Sequence, residues 1–384
     1  MKNSKRLDAV QSPIIPYIGE LARNNPDTIS FGQGIAFYGP PTEAFRNVQK
    51  CLKDESINRY GPVEGIPKLQ QALINKLNVV NGIEIDSGNA VIVTAGSNMA
   101  FNTAVLAITD PGDEIILPLP YYFNHEMSLV MECCEPVLVP CNEGFHLDIE
   151  KIKSAITDKT KAIVTISPNN PSGAVYTKQE LLEINLLCKN NDIYHISDEA
   201  YEDFYYEEHQ HFSTASQQNT QQHTISLFSF SKGYGLAGWR IGYMLIPEHL
   251  LPAVKKIQDT ILISPPVISQ HAAVGALSTN TEFLNDKRSA MSVKRDMVLS
   301  KLNNLSCLKT KPISEGAFYT LLNIDVKQDD MQLAKTLIEK HGIATIPGSA
   351  FGIKNGCYLR ISYGALSDQI INEGLDRLIK GLSF

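Results

Sequence analysis

The chain has 384 residues, 43% of them hydrophobic and 20% charged, which is enough for a large core and two globular domains. A net charge of -7 argues against nucleic acid or an anionic membrane as the main partner. No apolar run reaches the ~18 residues of a membrane span, and the charged segment 1–10 lacks the apolar centre of a secretory signal, so the expected location is the cytoplasm.

Taken in order, residues 8–23 read as a short N-terminal arm or helix broken by Pro13 and Pro16. A strand over 29–34 then runs into Gly32 and Gly34, where either a simple turn or the close approach of a ligand is possible. The turn 58–62, with Tyr60, precedes an amphipathic helix over 66–78. A strand over 91–94 leads through Gly96-Ser97-Asn98 into a helix over 99–108, whose first amides and dipole form an anion site. The strand 114–119 ends at Pro120-Tyr121-Tyr122-Phe123. A further strand over 161–166 opens into Asn169-Asn170-Pro171-Ser172-Gly173, which alone is a plain turn. Thr177-x-x-Glu180 predicts a capping box on a helix over 178–190.

The strand 193–197 delivers Asp198 and, three residues on, Tyr201. Residues 207–223 are polar and read as a solvated loop, with His209 and His211 as surface histidines too sparse for a metal site. The seven cysteines (Cys51, Cys133, Cys134, Cys141, Cys188, Cys307 and Cys357) show no CxxC spacing and predict reduced thiols. Asn304-x-Ser306 is a formal glycosylation sequon that means nothing without a secretory signal.

The apolar run 224–230 ends at Lys232. A lysine at the end of a buried strand is partly desolvated, which lowers its pKa and frees the amine to attack a carbonyl. Ser229, Ser231 and Arg240 close by suit a phosphate. An aldehyde that carries a phosphate and forms a Schiff base with lysine is pyridoxal 5'-phosphate. Asp198 then suits the protonated pyridine nitrogen, and Tyr201 can donate to the ring oxygen. The glycines Gly233-x-Gly235-x-x-Gly238, with Asp259 downstream, also match a dinucleotide fingerprint, which leaves an NAD-dependent dehydrogenase open. Helices at 248–261 and 267–278 follow. From about 281 the pattern changes to a charged helix over 283–303 and short strands. In one of these, Arg360 sits among apolar residues, a costly place unless it meets a substrate carboxylate or a structural ion pair.

Ser-x-Ser-Lys232 followed by Gly238-Trp239-Arg240-x-Gly242 resembles the lysine signature of the class I/II aminotransferases, the fold-type I enzymes that use pyridoxal phosphate. The resemblance runs from Gly34 to Arg360. It implies an α/β fold: a large domain (45–280) with a mostly parallel seven-stranded sheet flanked by helices, and a smaller α+β domain (1–44 and 281–384). By the same resemblance Gly96, Ser97 and Asn98 form the phosphate cup, with Ser229, Ser231 and Arg240. Tyr122 stacks on the pyridine ring, Asn170 bonds the ring oxygen and borders the substrate, and Gly34 and Arg360 receive the substrate carboxylate. Tyr60 reaches the phosphate of a neighbouring subunit, which implies a homodimer with shared sites. Two departures stand out: Ile35-Ala36 where relatives commonly carry Pro-Asp, and His125 where they often carry tyrosine. No second arginine is placed by motif for an acidic side chain, so a dicarboxylic substrate is not indicated. The expected activity is transfer of an amino group from an L-amino acid to a 2-oxo acid, Lys232 forming the aldimine and then acting as general base. Elimination at the β or γ carbon, or cyclisation of an arginine-derived amino acid, stays open because it needs nearly the same residues.

Overall fold

Seven runs rich in Ile, Val and Leu form one sheet in the computed structural model, which describes residues 4–303 and 305–383. In chain order they are β1 (Asn89–Thr94), β2 (Glu114–Leu119), β3 (Glu135–Pro140), β4 (Thr160–Ile166), β5 (Tyr194–Asp198), β6 (Thr224–Ser229) and β7 (Gly242–Pro247). Their spatial order is β1-β7-β6-β5-β4-β2-β3. The pairs β3–β2–β4–β5–β6 are parallel, and β7 alone runs against both neighbours. Parallel strands joined through helices are covered on both faces, which explains their unbroken apolar runs. The burial agrees: all six residues of β7, and all but Lys161 in β4, are buried.

Two of these strands are missed by sequence reading, for different reasons. In β3, Pro136 and Pro140 disguise a strand, but β3 lies at the sheet edge, where proline costs no ladder bond. The strand β7 follows the glycine-rich turn directly and hides in its pattern. The predicted strand at 29–34 shrinks to Ile29–Ser30, which pairs in parallel with Ile343–Ala344. Pro13 and Pro16 do not break the first helix. It runs from Ile14 to Asn24 with Pro13 as its N-cap, and Pro16 falls in the first turn, where its missing N–H has no intrahelical partner to lose.

A three-stranded antiparallel sheet, β8 (Tyr319–Ile324), β9 (Ile346–Pro347) and β10 (Cys357–Ser362), has the order β9-β10-β8. Helices Thr281–Leu302, Asp330–His341 and Asp368–Gly381 belong to this part of the chain. Its buried side chains, such as Leu337 and Leu375, join Ile92, Val164 and Ile196 of the large sheet in one continuous core. Among the described residues no helix is long and apolar enough to cross a membrane. The sequon's Asn304 lies outside the described residues.

The stretch 207–223 is not simply solvated. Ser213, Thr214 and Thr220 are buried, and the His211 side chain, only 8% exposed, places Nε2 2.9 Å from Glu199. A polar loop can have a buried inner side when an acidic residue beneath it needs partners.

The helix Lys178–Asn190 carries the predicted capping box: Thr177 Oγ1 accepts from the Glu180 amide at 3.2 Å, and Glu180 Oε2 accepts from the Thr177 amide at 2.7 Å. Thr177→Ala is expected to cost about 1 kcal/mol, read as a lowered urea midpoint at unchanged slope. An unchanged midpoint would show that the cap is idle.

Candidate active site

The loops that carry chemistry leave the sheet at one edge, and register fixes what meets there. Thr94, Gly242 and Ser229 form one row across β1, β7 and β6. Leu227, Asp198 and Ile166 form the next across β6, β5 and β4. Carboxyl ends of parallel strands are where such sheets hold ligands. Here they enclose a cavity of about 200 Å³. Ser97, Asn98, Tyr122, Asn170, Asp198 and Tyr201 line it, with Ser229, Ser231, Lys232 and Arg240.

One end of the cavity is built for an anion. The helix Ser97–Ile108 starts without a side-chain cap, so its first amides point outward unsatisfied. Gly96 has φ 87°, and a Cβ there would lie 2.6 Å from Arg240 Nη2, so glycine is required for the guanidinium to approach the helix start. Arg240 donates to the Ala237 carbonyl at 3.0 Å and, among the described residues, has no carboxylate within ion-pair distance. Ser229 Oγ accepts from the Ser231 amide at 3.1 Å, which fixes the turn before Lys232.

The middle of the cavity holds Lys232. Its Nζ donates to the Gly34 carbonyl at 2.5 Å. Tyr38, which sequence reading passed over, donates from its hydroxyl to the carbonyls of Lys232 and Gly233, both at 3.1 Å, and so steadies the lysine's backbone. Burial, reinforced by the charges of Arg360 and Arg240, lowers the Lys232 pKa to about 8 against the pull of Asp198.

Asp198 is 5% exposed and accepts from the Ala200 amide at 3.0 Å. Its other oxygen lies 3.1 Å from His125 Nε2, and the His125 ring stacks on Phe101 at 3.9 Å between centroids. His125 is thus the residue that orients Asp198. The sequence displayed it only as a departure. Tyr122 is half-buried and accepts from Asn124 Nδ2 at 2.9 Å.

At the far end Arg360 is 2% exposed. It donates from Nη1 to Asn170 Oδ1 at 2.9 Å and from Nη2 to the Gly32 carbonyl at 2.7 Å. Its Nε is buried with no partner, and among the described residues no carboxylate lies within ion-pair distance. The structural ion pair left open by the sequence is therefore absent among those residues. Asn170 Nδ2 donates onward to the Tyr201 hydroxyl at 3.3 Å. Tyr60 stands apart from the cavity in its own chain, 81% exposed on the loop before the helix Pro67–Val79.

The family model described as aminotransferase class I and II matches residues 26–378. The chain belongs to this family. An aspartate aminotransferase of Pyrococcus abyssi is 32% identical over 100% of this chain and 98% of its own length. An aspartate/prephenate aminotransferase of Cereibacter sphaeroides is 33% identical over 94% of this chain and 92% of its own. The solved structure of a Thermus thermophilus aspartate aminotransferase single mutant superposes with a TM-score of 0.91 at 32% identity, covering 100% of both chains. The fold is that of the fold-type I enzymes, and the chain is a pyridoxal-phosphate-dependent aminotransferase. The dehydrogenase, elimination and cyclisation readings fall. The glycines 233–238 lead into a short 3-10 turn (Ala237–Trp239) and the antiparallel β7 rather than a helix, and Asp259 lies inside the helix Leu251–Leu262. The residues present fit the cofactor: open amides and the unpaired Arg240 suit its phosphate, Lys232 its aldehyde, and Asp198 its ring nitrogen.

A neutral amine is the attacking form, so a lowered pKa extends its reactivity to lower pH; at pH 7 about a tenth of Lys232 is neutral. Attachment of pyridoxal phosphate to the cofactor-free aminotransferase is expected to speed up with pH and level off above about 8. A midpoint near 10.5, the ordinary lysine value, would contradict the desolvated lysine. Lys232→Ala should remove the attachment and nearly all turnover.

Proposed function

We propose that this cavity is where the aminotransferase moves an amino group between an L-amino acid and a 2-oxo acid, with Lys232 holding the cofactor and Arg360 holding the α-carboxylate. Arg360 carries the reading. A guanidinium buried at 2% exposure without a carboxylate is several kcal/mol uphill unless an anion joins it, and burial already lowers its pKa. A planar α-carboxylate matches its fork.

When bound, pyridoxal phosphate supplies an electron sink conjugated to the substrate nitrogen. The amides of Ser97 and Asn98, the hydroxyls of Ser229 and Ser231, and Arg240 hold its phosphate, with Gly96 making room. Tyr122 covers one face of the ring. Asp198, oriented by His125, accepts the hydrogen bond of the ring nitrogen. Asn170 and Tyr201 donate toward the ring oxygen, while Asn170 Oδ1 steadies Arg360. Lys232 Nζ, once free, would be the group that takes the proton from the substrate Cα and holds it for return. The low pKa of Lys232 suits both directions, since the amine binds and releases a proton near neutral pH. The Gly34 carbonyl holds Nζ beside the carboxylate end.

We also infer a cytoplasmic homodimer with domains at 45–280 and 1–44 plus 281–384. Tyr60 is exposed away from its own cavity, which supports an assignment to the partner subunit's phosphate.

Arg360→Ala is expected to raise KM for an amino acid about 100-fold, as loss of two charge-assisted hydrogen bonds predicts, and to erase the preference for the acid over its α-amide. An unchanged preference would move the carboxylate elsewhere. For the dimer, subunits carrying Tyr60→Phe are mixed with subunits carrying Lys232→Ala. Hybrids should regain one intact site and its cofactor affinity, whereas no recovery on mixing would place Tyr60 outside the partner's site.

A further inference from the structure

The tyrosine of Gly316-Ala317-Phe318-Tyr319 is fully buried at the start of β8, and its hydroxyl lies 2.7 Å from the hydroxyl of Tyr201. Space for it is made on one side by Gly34, where a Cβ would come within 2.5 Å of the Tyr319 oxygen. On the other side the Arg360 guanidinium sits 4.7 Å from the centre of its ring. Tyr319 therefore touches the carboxylate end of the site through Arg360 and the ring-oxygen end through Tyr201, yet does not line the cavity.

Which way the hydroxyl pair donates follows from its neighbours. Asn170 Oδ1 accepts from Arg360, so its amide nitrogen faces Tyr201 and donates to the Tyr201 oxygen. Tyr201 thus already uses its oxygen as an acceptor. Tyr201 has a single hydroxyl proton, so when that proton serves the ring oxygen the 2.7 Å contact can only be donated by Tyr319. We propose that Tyr319 is a positioning residue that donates its hydroxyl proton to Tyr201, so that the proton of Tyr201 is directed into the cavity toward the cofactor's ring oxygen. A donor that itself receives a hydrogen bond is strengthened, by roughly 10–30%. Tyr319 thus sets how strongly Tyr201 stabilises negative charge on the ring oxygen. The charged groups facing the pair are Arg360 and Lys232 (its Nζ 5.6 Å from the centre of the Tyr201 ring), with the Tyr122 phenol.

This rests on the placement of Tyr201 at the ring oxygen, and the experiment separates the two. The holoenzyme's visible absorption is titrated against pH in wild type, Tyr201→Phe, Tyr319→Phe and the double variant. A hydrogen bond to the ring oxygen lowers the proton affinity of the adjacent nitrogen linkage, so Tyr201→Phe should raise the absorption midpoint by about one unit or more. Tyr319→Phe should raise it by about 10–30% of that shift, roughly 0.1–0.3 unit for each unit, and should add nothing in the double variant. The sign is decisive, because if Tyr201 instead donates to Tyr319, removal of Tyr319 frees the Tyr201 proton and the midpoint falls. A fall, no change, or an undiminished shift on the Tyr201→Phe background overturns the proposal while leaving the role of Tyr201 intact. No shift in Tyr201→Phe itself overturns both. A merely structural loss in Tyr319→Phe would lower the melting temperature without moving the midpoint, and that outcome too counts against it.

Discussion

An arginine buried without a carboxylate beside it is the constraint on which the site depends. Arg360 is held by a carbonyl, an amide oxygen and two aromatic faces, Tyr319 at 4.7 Å and Phe351 at 5.2 Å. None of these neutralises it. Each is a partial partner that orients the guanidinium and leaves its charge available, which a buried ion pair would not. The position costs stability in the free chain, and functional sites are where such costs are retained.

The same field acts on Lys232. Arg360 and Arg240 lie on either side of it, and both oppose its protonation; only Asp198 favours it. A cavity with three cationic side chains and one carboxylate therefore does two things at once. It attracts phosphate and carboxylate, and it keeps the lysine amine near neutrality. Anions bound beside Arg360 and Arg240 would weaken the positive field around Lys232 and so favour proton uptake by Nζ, which suits the base role proposed for it.

Much of this was legible in the sequence because each parallel strand ends at the shared edge and presents its polar residues in the few positions that follow. Asp198 at the end of β5, Ser229 to Lys232 at and beyond the end of β6, and Asn170 after β4 are all local readings of that rule. What escaped is what acts across the chain. His125 meets Asp198 from the helix Phe123–Met131, which begins inside an aromatic cluster and gives no sign of its partner. Tyr319 meets Tyr201 across 118 positions. Tyr38 reaches Lys232 from two residues beyond Ile35-Ala36, the pair that the sequence marked only as unlike its relatives. The edge strand β3 failed because its two prolines disguise it and only its edge position tolerates them, and β7 because it follows a glycine-rich turn directly.

The charge inventory also bears on the departure at Ile35-Ala36. Lys232 and Arg240 line the cavity and Arg360 borders it, and on the proposed assignment a phosphate and an α-carboxylate would occupy the two arginines. Lys232 is committed to bond-making and cannot also serve as a fixed counter-ion. A second carboxylate on the substrate would then be buried against no charge of its own, at a cost of several kcal/mol. The segment after Gly34 does not relieve this, since it offers Ile35 and Phe37, 44% and 39% exposed, rather than a basic residue. On that assignment the residues of one subunit would serve the α-amino group and the α-carboxylate that every amino acid shares. Any preference for an acidic side chain has to come from a cation outside the residues that line this cavity.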